Sequence, residues 1–235
     1  MARVGDDGRV LVDAVTFDFR GTLVVAGSID AWMDDAMGSS GETAERSILR
    51  EVLSEVWARA ARRHPDASWD LHPHQHRSAF EEVLIQEASC PVGLAVALYE
   101  LMPEQWELAP GALQLLTALH GGAVRLAVVS NIAIDIRPRL SEMGLLPLLD
   151  QVLLSHEEGL VKPNPQFFER AAARLGADPR GCVVEGDSST HDGGAVAAGM
   201  TCLLVPQVGE VPRLGTAGRL LLAALPRKGI TPSQR

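Results

Sequence analysis

The sequence predicts an α/β fold, a parallel sheet covered by helices, with a helical segment inserted after the first strand. Two observations predict it. Short apolar runs recur along the 235-residue chain, and helical stretches part them, the alternation that builds a buried parallel sheet. Between the first two runs, by contrast, residues 26–106 place apolar side chains at helical spacing and carry no convincing strand. The length suits one to two domains and leaves ample chain to bury a core.

Taken in order, the first strand is expected within Val10 to Phe19, an apolar run that ends on Asp18 and its neighbours. In the inserted segment, Glu42 to Arg63 reads as a helix with Ile48, Leu49, Val52, Val56 and Ala60 on one face. A segment that leaves and re-enters at the sheet's edge should form a separate helical cap, so the expected division is a core of residues 1–25 and 107–235 with a cap of 26–106. Gly111 to His120 is the next helix, with Ala112, Leu113 and Leu116 at helical spacing and Pro110 where a first turn tolerates it. Strands follow at Val124 to Val129 and Gln151 to Leu154. Pro165 to Leu175 is a helix with Phe168, Ala171, Ala172 and Leu175 as its stripe and Gly176 as its stop. Cys182 to Val184 and Thr201 to Val205 complete the strands, and Ala217 to Leu225 is a short apolar helix.

Composition narrows the function classes. A net charge of −9 with no basic face argues against nucleic acid and acidic lipid as partners, leaving a small soluble molecule. The three cysteines, Cys90, Cys182 and Cys202, stand at wide spacings without a zinc pattern and fit reduced thiols. No apolar run approaches the roughly 20 residues of a membrane span, and no leader-like pattern is seen, so the cytoplasm is the expected location.

Ligands of open α/β sheets bind beyond the carboxyl ends of the strands. Asp18 ends one expected strand and Asp187 another, with Asp192 five residues further on. Carboxylates converging in one crevice repel each other unless a cation joins them, and hard oxygen ligands suit Mg²⁺. Ser130 and Asn131 in V-V-S-N, and Lys162 in G-L-V-K-P-N-P, add a hydroxyl, an amide and an ammonium at further strand ends.

The ordered set Asp18-Phe19-Arg20-Gly21-Thr22, Ser130-Asn131, Lys162-Pro163 and Gly186-Asp187-Ser188 with Asp192 resembles the four motifs of the haloacid dehalogenase superfamily of hydrolases. The resemblance extends over nearly the whole chain. It implies a Rossmann-like core with an α-helical cap that closes over the substrate, and a Mg²⁺-dependent phosphatase-like activity on a small phosphorylated metabolite. By the same resemblance, Asp18 is the nucleophile that forms an aspartyl-phosphate. Mg²⁺ is held by Asp18, Asp187 and the backbone carbonyl of Arg20, with Asp192 orienting its waters. Ser130 and Asn131 meet the substrate, and Lys162 offsets the charge shared by Asp18 and the phosphoryl group.

Arg20 departs from that pattern. Most phosphatases of the family carry a second Asp there, which protonates the leaving group and later activates water. Arg stays protonated and cannot do this, so slow turnover, or a grip on a second substrate anion by Arg20, is expected. Two alternatives remain open: a dehalogenase-like hydrolase, disfavoured by Asp187, and a fold-retaining regulatory protein that binds a phosphorylated ligand. A phosphonate hydrolase would want a cap lysine, and none occurs before Lys162. His72, His74 and His76 alternate, which on an extended backbone aligns them on one side. Among the tryptophans, Trp32 and Trp69 are expected to face the cleft.

Overall fold

The computed structural model describes residues 12–122, 124–205, 207–208, 211–212 and 214–224. Val10 and Leu11, which open the first expected strand, and Leu225, which closes the last expected helix, lie outside them. The chain runs β1 (Ala14–Phe17), β2 (Val24–Ala26), α1 (Ile29–Ser40), α2 (Arg46–Ser54), α3 (Val56–Arg63), α4 (Pro73–Glu87), α5 (Val92–Glu100) and β3 (Trp106–Leu108). It continues through α6 (Ala112–Gly121), β4 (Arg125–Ser130), α7 (Arg137–Glu142), β5 (Gln151–Leu154), α8 (Ser155–Glu158), α9 (Pro165–Leu175), β6 (Cys182–Gly186), β7 (Thr201–Leu204) and α10 (Leu214–Ala224).

Five strands form one sheet in the order β5-β4-β1-β6-β7, each pair parallel. Successive strand side chains point to opposite faces, and both faces here are apolar. Val15 and Phe17 of β1, with Leu126 and Val128 of β4, join the larger buried cluster, which also takes in α6. Ala14, Ala127 and Val129 point the other way, against Phe167, Phe168, Ala171, Ala172 and Leu175 of α9. Covering both faces explains why these strands read as continuous apolar runs rather than as alternating ones. The core is thus the Rossmann-like α/β sheet expected. The chain leaves β1 for β4 and β5 on one side and returns to β6 and β7 on the other, so the sheet's topological switch point lies at the carboxyl end of β1, where a crevice opens.

The segment between β2 and β3 is helical, and its shape differs from the sequence reading in three respects. First, Glu42 to Arg63 is two helices, broken at Glu55 with φ −120°. Glu45 starts α2 by accepting hydrogen bonds from the backbone N–H groups of Ser47 and Ile48. Leu49, Val52 and Leu53 then set its buried face, which turns Ile48 outward at 45% exposed. Second, His72, His74 and His76 do not share an extended side, because Pro73 opens α4 at its first turn. Helical geometry exposes His74 and buries His76. Third, β2 and β3 pair antiparallel, Val24 with Leu108 and Ala26 with Trp106. Strands of three residues with partners some 80 positions away leave no periodic trace. The pair ties the chain's exit from the core to its return, and Arg139 of α7 donates to the Trp106 carbonyl at 2.6 Å.

Smaller shifts follow the same logic. In α6 the buried positions are Ala112, Leu115, Leu116 and Leu119, with Leu113 half-buried, and α10 begins at Leu214 rather than Ala217. No helix of the described residues is long and apolar enough to cross a membrane.

Candidate active site

Local geometry aims the first carboxylate. The Asp18 N–H donates to the Glu185 carbonyl of β6 at 2.9 Å, extending the β1 ladder by one residue before the chain turns. Gly21 makes that turn, with φ +81° and its N–H bonded to the Val24 carbonyl at 2.8 Å. A side chain is excluded there twice over: the backbone is left-handed, and a Cβ would collide with the Asp187 carboxylate. Gly186 is equally constrained, since a Cβ on it would meet the carboxylate of Asp192. Both glycines therefore exist to let acidic groups approach the backbone closely.

Lys162 sits at the centre of the acids. Its ammonium, 3% exposed, donates to Asp18 Oδ1 at 2.6 Å and to Asp192 Oδ1 at 2.7 Å. Its backbone is clamped by Asn131, whose Oδ1 accepts from the Lys162 N–H at 2.7 Å and whose Nδ2 donates to the Lys162 carbonyl at 2.9 Å. Asp192 Oδ2 accepts from the Ser188 N–H at 3.0 Å, and Asp187 Oδ2 accepts from Gln207 Nε2 at 2.9 Å. Ser130, the last residue of β4, is buried beside them.

Three carboxylates against one ammonium leave excess negative charge in a confined space. Burial raises the Asp18 carboxyl above its ordinary range, and Asp192 and Asp187 add to that against the pull of Lys162. Burial, then Asp192, raises Asp187 as well. Burial acts to lower the Lys162 ammonium, yet Asp18 and Asp192 outweigh it and hold the group above the ordinary lysine value. Asp18, Asp187 and Asp192 each bring one oxygen within 4.8 Å of the others. That hard oxygen set fits a small divalent cation, which would relieve the crowding that raises the two carboxyls.

A cavity of about 290 Å³ stands over this cluster, near the lower end of small-molecule sites. The structure brings Asp18, Arg20, Ser130, Asn131, Lys162, Asp187 and Asp192 to its core side. Arg20 faces solvent at the rim. Surrounding protein lowers its pKa against the attraction of Asp18, Asp187 and Asp70, but a guanidinium remains charged. The opposite wall belongs to the helical segment: Trp57, Trp69, Asp70 and His76, with Met102 and Trp106 at the juncture. Trp69 faces the cleft as expected, whereas Trp32 does not line this cavity. Its indole N–H donates to the Leu98 carbonyl at 3.0 Å inside the helical segment, because α1 packs that face onto α5.

Sequence reasoning missed Trp57, Asp70, Trp106 and His191 as cavity residues. Asp70 and Trp57 follow no motif spacing, and only the pairing of β2 with β3 carries Trp106 to the cavity. His191, one residue before Asp192, was within reach of the motif.

A parallel sheet with carboxylates gathered at its switch point is also the arrangement to which comparison with known proteins leads. A family model described as haloacid dehalogenase-like hydrolase matches residues 12–199, and the chain belongs to that family. It is 27% identical over 201 residues to a glyceraldehyde 3-phosphate phosphatase of Methanothermobacter thermautotrophicus, covering 83% of this chain and 82% of that one. It is also 32% identical over 125 residues to the pyrimidine 5'-nucleotidase YjjG of Escherichia coli, covering 52% of this chain and 56% of the relative. Among solved structures, a phosphatase of the family from Thermococcus onnurineus matches with a TM-score of 0.57 at 23% identity, covering 84% of this chain and 88% of that one. A dehalogenase in an intermediate complex matches at 0.66 and 21%, covering 91% and 97%. Both share the fold.

Proposed function

We propose that the protein is a Mg²⁺-dependent phosphomonoesterase acting on a small phosphorylated metabolite in the cytoplasm, with Asp18 as nucleophile and residues 26–106 as a cap over the site. The observation that carries this reading is the Asp18 carboxylate, bound to Lys162 at 2.6 Å in a three-carboxylate cluster on the floor of a cavity roofed by the helical segment. Phosphatase activity in the archaeal and E. coli relatives supports a phosphomonoester as substrate. The carboxylates of Asp187 and Asp192 favour a metal-dependent phosphatase over a dehalogenase-like hydrolase.

Asp18 attacks phosphorus, and the bond to the leaving oxygen breaks, leaving an aspartyl-phosphate that water then cleaves. Lys162 keeps Asp18 aimed and offsets negative charge as the phosphoryl group arrives. Ser130 donates to a phosphoryl oxygen, while Asn131 holds the Lys162 segment in register. Asp18, Asp187 and the Arg20 carbonyl would hold Mg²⁺, with Asp192 behind them. When bound, the cation neutralises charge on the phosphoryl oxygens.

The test is phosphate release from a panel of phosphomonoesters, with and without Mg²⁺, by the native protein and by Asp18→Asn. The native protein is expected to turn over at least one ester only with the metal, and the near-isosteric variant to be folded and inactive. Undiminished turnover by Asp18→Asn would reject the mechanism.

A further inference from the structure

The reaction needs a proton donor, because breaking the phosphorus–oxygen bond of an alkyl ester expels an alkoxide. It then needs a base for the attacking water. The groups nearest Asp18 are unsuited to both tasks. Arg20 does not release its proton. Lys162 is committed to Asp18 and Asp192. His76 Nδ1 is bonded to the Tyr99 hydroxyl at 2.8 Å, and burial keeps that ring neutral.

Among the described residues, four carboxylates line the cavity: Asp18, Asp187, Asp192 and Asp70. The first three form the strand-end cluster. Asp70 comes from the opposite wall, on the turn Trp69–Leu71 that precedes α4. Among the described residues, its carboxylate has no hydrogen-bond or ion-pair partner. Its backbone, by contrast, is fixed to the core. Ser155 Oγ of α8, fully buried, accepts from the Ile132 N–H at 2.9 Å and donates to the Asp70 carbonyl at 2.6 Å. The contact carries the turn onto the core and leaves the side chain free in the cavity.

We propose that Asp70, supplied from across the cleft, is the proton donor and acceptor of this hydrolase, doing the work that Arg20 cannot. The inference rests on the phosphomonoesterase reading. In the first step, Asp18 Oδ bonds to phosphorus and the ester bond breaks. The proton of the Asp70 carboxyl goes to the leaving oxygen. In the second, the Asp70 carboxylate takes a proton from water as the water oxygen bonds to phosphorus. The bond between phosphorus and Asp18 then breaks, inorganic phosphate leaves, and both carboxyls return to their starting states. The surroundings favour a protonated start: burial raises the Asp70 carboxyl above the ordinary range, against the attraction of His191, Arg20 and Lys162. A donor carried on the wall opposite Asp18 also completes the site only when its turn is docked on the core.

The experiment compares the native protein and Asp70→Asn on two classes of ester, alkyl phosphates and 4-nitrophenyl phosphate, in the presence of Mg²⁺. A nitrophenolate leaves without needing a proton. Asp70→Asn is therefore expected to lose about 10²-fold or more in kcat on alkyl phosphates, and to keep most of its initial burst of nitrophenol. A purely structural role would lower the nitrophenol burst along with alkyl-phosphate turnover. The burst also reports folding, since a misfolded variant would not form the aspartyl-phosphate. Loss of the nitrophenol burst in step with alkyl-phosphate turnover by Asp70→Asn with a native melting temperature, or no loss of turnover on either class, overturns this inference alone. A native protein inert towards both classes overturns the phosphomonoesterase reading and this inference with it.

Discussion

Of the histidines at 72, 74 and 76, only His76 turns inward, where its ring stacks on Trp57 at 4.1 Å between centroids and bonds to Tyr99. Burial, then the charges of Arg20 and His156, pushes its pKa down to about 4 from 6.5. Between those values the unfolded chain binds a proton that the folded chain does not. Stability from this residue is therefore complete above pH 6.5 and is lost as pH falls towards 4, by at most about 1.4 kcal/mol per pH unit. Urea unfolding of His76→Gln across that window should show a flatter loss than the native protein. Parallel curves would mean that His76 titrates normally in the folded state. Glu185 is the opposite case: fully buried in β6 without a partner among the described residues, it is pushed up to about 8 by burial.

At the scale of elements, an aromatic cluster joins α1, α3, α4 and α5 of the helical segment. Phe80 of α4 is fully buried, with ring centroids 5.5 Å from Tyr99, 5.8 Å from Trp57 and 6.1 Å from Trp32. Phe80→Ala should cost about 3–5 kcal/mol by calorimetry, and should also weaken turnover because Trp57 lines the cavity from this support. A loss below about 1 kcal/mol would mean that the cluster is not packed as described. The sequence marked the helices here by periodicity, and α9 was legible at both ends, where Pro165 opens it and Gly176 ends it in the left-handed region, although buried Phe167 was not in the expected stripe. The break at Glu55 was not legible. Residues on both sides of it favour helix, and the kink is imposed by packing of α2 and α3 against α4.

Across the whole molecule, the cavity is shared between two walls joined through β2 and β3, and the cap closure we propose would turn about that short pair. Trp57, Trp69 and Trp106 line the cavity and Trp32 does not, which makes intrinsic fluorescence a direct readout. Inorganic phosphate with Mg²⁺ should produce a saturable change in emission in the native protein, and Trp32→Phe should retain it. An emission spectrum that phosphate and Mg²⁺ leave unaltered would count against closure on the ligand.

The sequence by itself determined the five strands of the parallel sheet, their order of appearance and the residues at their ends, because a buried parallel strand must be continuously apolar and must stop where a polar group reaches the crevice. Arg20, too, stood out against the motif the chain resembles, since no environment makes a guanidinium a proton shuttle at neutral pH. Only the tertiary structure decided how these residues meet. Lys162 lies 144 positions from Asp18, and the topological switch point is what sets them 2.6 Å apart. Asp70 and Trp57 had no signal at all: their place in the site comes from docking a helical segment onto the core through Ser155. That contact depends on shape and on one hydrogen bond across 85 residues, neither of which has a local period to read.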